Sequence, residues 1–99
     1  MASSVIFHKL VQRDVSGVLR YYSDEADEAL ADRFYDAFLH TVEQALSNPQ
    51  HFHFLLDPVR RANIPKFPYH FLYRETSYGI RILVLRHHKR HPSYGMLRK

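Results

Sequence analysis

Between positions 61 and 94 the chain gathers Arg61, His70, Arg74, Arg81, Arg86, His87, His88, Lys89, Arg90, His91 and Tyr94. Histidine titrates near neutral pH and can take or give a proton. Arginine grips phosphate through its planar fork, and tyrosine can stack on an exposed base. Cleaving RNA needs that inventory: a base for the 2′-hydroxyl, an acid for the leaving oxygen and cations for the crowded phosphate. A basic face that merely holds a polyanion or an acidic partner would show the same residue types. Residue type alone leaves both readings open.

Other chemistries are easier to set aside. His51-x-His53 and His87-His88-x-x-His91 have short, ligand-like spacings. Residues 87 and 88 on a strand point to opposite faces, and no carboxylate accompanies them, so neither a metal site nor a cofactor is expected. With no cysteine there is no disulfide framework, thiolate zinc site or cysteine nucleophile. Three glycines do not make a phosphate-cradling loop, and no Ser-His-Asp arrangement is suggested. Tyr21-Tyr22 and the Phe34/Phe38 stripe follow helical spacing and are expected in the core.

The elements that must position these groups can be read in order. Val5-Ile6-Phe7 begins a short first strand. Val15, Val18, Leu19 and Tyr22 then recur at helical spacing, with Asp14 near the start and Gly17 weakening the helix. The acids Asp24, Glu25, Asp27 and Glu28 mark the start of a second helix, where negative charge complements the dipole. Leu30, Phe34, Ala37, Phe38, Thr41, Val42, Ala45 and Leu46 form its apolar stripe, and Asn48-Pro49 stops it. Its outer face is acidic, the wrong sign for a helix entering a DNA groove.

Residues 50–58 read as a loop anchored by Phe52 and Phe54. Strands are expected over Val59–Ile64, Tyr69–Glu75 and Ile80–His87, with a turn at Thr76-Ser77-Tyr78-Gly79. An even turn puts Tyr73 opposite Ile82 and Phe71 opposite Val84. Tyr69, Phe71, Tyr73, Ile80, Ile82 and Val84 then face the helices, with Glu75 and Arg86 at the ends of that face. His70, Leu72, Arg74, Arg81, Leu83, Leu85 and His87 face the other way. Arg60, Ala62 and Ile64 share one face of their strand, and Arg61 and Asn63 the other. Arg74 opposite Arg81 is a like-charge pair, unfavourable unless an anion lies between them. The expected fold is α+β, ordered β-α-α-β-β-β, an antiparallel twisted sheet with a helical hairpin on one face.

Length and charge agree with this plan. The 99 residues suit one domain, 1–99, that buries roughly 65% of its unfolded surface. Residues 1–50 carry 4 Lys/Arg against 8 Asp/Glu, and residues 51–99 carry 10 against 2. Such asymmetry points to a polyanion or an acidic partner. No apolar run is long enough to span a bilayer, and the start Met1-Ala2-Ser3-Ser4 shows no secretory pattern, so a cytoplasmic location without membrane contact is expected.

Several stretches together resemble the RelE/ParE superfamily of bacterial toxins. They are Asp14 and Tyr21-Tyr22, Asn48-Pro49, Val59-Arg60-Arg61, Phe67-Pro68-Tyr69-His70-Phe71-Leu72-Tyr73-Arg74, and Val84-Leu85-Arg86-His87-His88-Lys89-Arg90-His91-Pro92. The resemblance covers residues 5–94. It implies the toxin of a type II toxin-antitoxin, or plasmid-stabilisation, module. A cognate antitoxin, at least partly acidic, would block it over the basic face or in a helical groove. Operator DNA would be reached only through that antitoxin.

ParE-like members inhibit DNA gyrase, and RelE-like members cleave messenger RNA in the ribosome. The long helical hairpin is more ParE-like, which makes gyrase the first expectation. On the RelE alternative, Arg61, His70, Arg90 and Tyr94 would be catalytic, although His70 stands where an arginine is typical and Asn63 where a lysine is typical. On either reading Arg74, Arg81, Arg86, His87, His88 and Lys89 would bind phosphate or a partner. A third reading is a non-toxic relative that only binds an antitoxin.

Overall fold

The acidic run at residues 24–28 is where the chain reverses between its helices. Asp27 accepts a hydrogen bond from the Leu30 amide at 2.8 Å through its side chain, so it caps the second helix and satisfies an orphan donor. The computed structural model describes residues 3–99, and Met1 and Ala2, half of the start read above for a secretory pattern, lie outside the described residues. Helix α1 spans Val11–Glu25 and α2 spans Glu28–Ser47. Strands follow at β2 (Phe54–Leu56), β3 (Val59–Asn63), β4 (Tyr69–Thr76) and β5 (Gly79–His87), after β1 (Ser4–Phe7) at the start.

The α+β plan with a helical hairpin over the sheet holds, with two additions. Phe54–Leu56, expected as loop, forms a short exposed edge strand. Strand β1 runs parallel to β5, so the sheet, ordered β1-β5-β4-β3-β2, is mixed while its other pairings are antiparallel. That parallel pair forces close approach at Gly79. Its φ is +147°, and a Cβ there would stand 2.1 Å from the Ser4 carbonyl oxygen. No side chain fits.

The hairpin register follows expectation near the turn and departs from it further on. Tyr73 pairs with Ile82 and Arg74 with Arg81, but Leu72 pairs with Val84 and Phe71 with Leu85. Leu83 is an extra residue, a β-bulge, and it reverses the sides taken by everything after it. Leu85 therefore joins the core beneath the helices, whereas Val84 and Arg86 move to the opposite face. This corrects the expected faces of Val84, Leu85, Arg86 and His87.

Under the helices lies a layer of aromatic side chains. Phe34, fully buried, meets the edges of Phe67 and Tyr69 at 5.2 and 5.3 Å between centroids, and Phe38 meets Phe71 at 5.8 Å. Burying one such ring contributes about 1.5–3 kcal/mol. Tyr73 carries a hydroxyl into this layer and donates it to the Pro49 carbonyl at 2.7 Å. Tyr22 packs here as expected, but Tyr21 points away and is 55% exposed.

Candidate functional site

On the side of the sheet away from the helices, pleating and the bulge bring together Arg61 and Asn63 of β3, His70 of β4 and Arg86 of β5. His88, just beyond β5, folds back over them: its ring stacks on that of His70 at 5.2 Å between centroids. Arg86 Nε donates to His70 Nε2 at 2.9 Å. That bond assigns the His70 proton to Nδ1, which lies 2.9 Å from His88 Nδ1 and donates to it. Arg61 also reaches His88 Nδ1, at 3.2 Å, and donates its Nε proton to Asn63 at 2.9 Å.

His70 is therefore a relay inside a polar chain, with both ring nitrogens engaged and 1% of its surface exposed. Burial first, then the charges of Arg61 and Arg86, push its pKa down to about 3. It is neutral at physiological pH. Burial also lowers the pKa of the more exposed His88, with Arg61 and His87 adding to the effect. His88 keeps Nε2–H as a donor, and with the Arg61 guanidinium it forms the outward, anion-facing part of the group.

Arg86 is buried as well. Its second nitrogen donates to the carbonyls of Pro92 at 2.7 Å and Tyr94 at 2.9 Å, so it ties the segment after β5 to the open face. Gly95 of that segment, at φ +79°, sits so close to Val84 that a Cβ would come within 2.7 Å of it. The segment then rounds the edge of β5 that β1 leaves unpaired. There Asp14 of α1, 3% exposed, accepts from the Leu85 amide at 3.2 Å, the Tyr94 hydroxyl at 3.2 Å and Arg98 at 2.6 Å. Arg98 also donates to the Leu83 carbonyl at 3.1 Å. Two side chains thus take the place of a missing strand.

The four residues named for a ribonuclease do not form one group. Arg61 and His70 meet in the polar chain, which Tyr94 joins only through its carbonyl on Arg86; the Tyr94 ring stacks instead with Arg90, the guanidinium 3.9 Å from the ring centroid. His87 packs its ring against Tyr69 and accepts from the exposed Lys89 amide at 3.0 Å. Arg74 and Arg81 face each other across β4 and β5, further along the open face. The Asp14–Arg98 pair was not anticipated, since 84 residues separate its members. Among the described residues no group of three or more His, Cys, Asp or Glu side chains could hold a metal ion, and no helix is long and apolar enough to cross a membrane. Between the helices and the end of β1 lies a groove of about 540 Å³ whose floor of Val15, Leu19, Phe38 and Leu39 is flanked by the polar Lys9 and Gln12.

A helical hairpin over one face of a mixed sheet, the arrangement described above, recurs in a solved relative. A solved structure described as the chromosomal ParDE TA system from P. aeruginosa shares it at a TM-score of 0.75 and 15% identity, over 86% of this chain and 95% of that one. No curated protein matches the sequence. The family model described as the ParE toxin of the type II toxin-antitoxin system, parDE, matches residues 5–92, and the chain belongs to that family. As a type II toxin it has a cognate antitoxin.

Proposed function

We propose that this toxin acts as a ParE-like protein inhibitor of DNA gyrase in the cytoplasm, by binding and without chemistry of its own. The observation that carries the reading is the state of His70. It is the residue best suited by type to move a proton in a RelE-like reaction, yet it is buried, neutral and bonded at both nitrogens. The Arg90 guanidinium and the Tyr94 ring are stacked on each other and make no hydrogen bond to it. What reaches solvent is cationic surface at Arg61, Lys89 and Arg90, with His88 offering its Nε2–H beside them, which suits an anionic or acidic surface on the target. The antitoxin, on this reading, competes for that surface or seats in the groove between the helices.

The test follows DNA and protein synthesis by pulse labelling after induction, beside a supercoiling assay with purified gyrase. DNA synthesis is expected to fall first, with gyrase inhibited and messenger RNA intact. Early loss of protein synthesis with cleaved messenger RNA would sink the proposal and restore the ribonuclease.

A further inference from the structure

Helix α1 carries a glycine that packing does not explain. Gly17 sits in the helix interior, where glycine weakens the helix relative to alanine. Glycines tolerated there usually admit a neighbouring backbone, yet a Cβ on Gly17 would meet no atom within 4 Å. The space it leaves is part of a cleft of about 340 Å³, at the lower end of the roughly 300–1,000 Å³ of small-molecule sites. Arg13 and Tyr21 flank Gly17 one turn away on either side, and His87, Arg90 and Tyr94 line the cleft opposite.

The lining is chemically specific. Tyr21 is more than half exposed and offers ring surface, whereas the Tyr94 ring is taken up by Arg90 at 3.9 Å and Arg98 at 5.3 Å. Among the described residues the ion pairs are Arg60–Glu75 and Arg98–Asp14, so neither Arg13 nor Arg90 has an acidic partner. The carboxylate in the lining, Asp14, is already held by Arg98, Tyr94 and the Leu85 amide. His87 accepts from the Lys89 amide at Nδ1, which leaves Nε2–H as a donor. Aromatic faces beside uncommitted guanidinium groups bind a planar base and its phosphate together.

We propose that this cleft binds a single nucleotide, its base against the Tyr21 ring and its phosphate held by Arg13, Arg90 and His87. The cleft shares Arg90 with the cationic surface that carries the gyrase reading, but nucleotide binding is measured on the toxin alone and is decided apart from it.

The test is calorimetry on the full chain with adenosine 5′-monophosphate, adenosine, inorganic phosphate and a ten-residue oligoadenylate. The monophosphate is expected to bind at least about tenfold more tightly than adenosine or phosphate, since both halves of the site must be filled. Tighter binding of the oligomer assigns the cleft to a unit within a strand; equal or weaker binding assigns it to a free nucleotide. Gly17→Leu projects into the cleft from a Cβ position that meets no atom within 4 Å and strengthens the helix, so Tm should hold or rise while binding falls at least about tenfold. Arg90→Gln should weaken binding, while Arg33→Gln, which removes the same charge from the exposed side of α2, should not. No saturable binding of either nucleotide ligand, unchanged affinity in Gly17→Leu, or equal losses in the two arginine variants overturns the proposal.

Discussion

On the helix side of the sheet, Phe71, Tyr73, Ile80 and Ile82 are fully buried against Phe34 and Phe38, held by shape and by one hydroxyl bond. On the opposite side His70 and Arg86 are buried to nearly the same depth, and what holds them is a chain of donors and acceptors running from Pro92 and Tyr94 to Arg61. Among the described residues no buried side-chain nitrogen or oxygen lacks a partner. An apolar layer loses stability in proportion to the volume removed. A polar chain fails as a unit, because each member left behind is a buried group without its bond.

Four experiments break or sharpen that contrast. The largest loss is expected from Phe34→Ala on the apolar side, about 3–5 kcal/mol in denaturant unfolding, since the ring is central to the layer. Next comes Arg86→Met, which keeps the stem and strands His70 Nε2 and two carbonyls, for about 2–3 kcal/mol. Adding His70→Leu to it should recover part of that loss, whereas simply additive losses would count against a shared chain.

The third concerns pH. With a folded pKa of about 3, His70 takes a proton in the unfolded chain but not in the folded one as pH falls below about 6.5. Stability therefore drops on acidification, by about 1.4 kcal/mol per pH unit from this group, and reaches about 2 kcal/mol by pH 5. His70→Gln, which can still accept from Arg86, should flatten the slope by that amount. His88 and His8, whose pKa values burial also lowers, leave a residual slope of the same sign. If the variant keeps the whole slope, the acid sensitivity lies elsewhere. The smallest effect belongs to Arg74→Thr. Relieving the pairing with Arg81 should stabilise by up to about 0.5 kcal/mol in low salt and fade as salt is added.

Much of the apolar side was legible in the sequence because it obeys a period. The α2 stripe, the pairing of Tyr73 with Ile82 and the anchoring of Phe52 beside Tyr73 all follow from spacing and turn chemistry. What escaped has no period. Phe54–Leu56 is three exposed residues without alternation, paired only through its backbone. The parallel neighbour of β5 comes from the far end of the sequence. The candidate site was legible as an inventory of arginines and histidines, but not as a network. Which of them are buried was decided by Leu83, a leucine like its neighbours, and by Asp14 meeting Arg98 across 84 residues.

The bulge also changes what kind of alteration β5 can absorb. A strand repeats every two residues, so its sides behave as a two-beat rhythm, and Leu83 shifts the phase of every beat after it. Exchanging Leu83 for another apolar residue leaves that phase intact. Deleting it lets Val84 follow Ile82 in plain alternation, so Leu85 stays in the aromatic layer and Arg86 stays opposite His70; a slip that paired Leu83 with Leu72 would instead swing Arg86 into that layer and turn Leu85 out. In this stretch the fold is written in which residue stands unpaired, and a slip of register would do more harm than the loss of Leu83 itself.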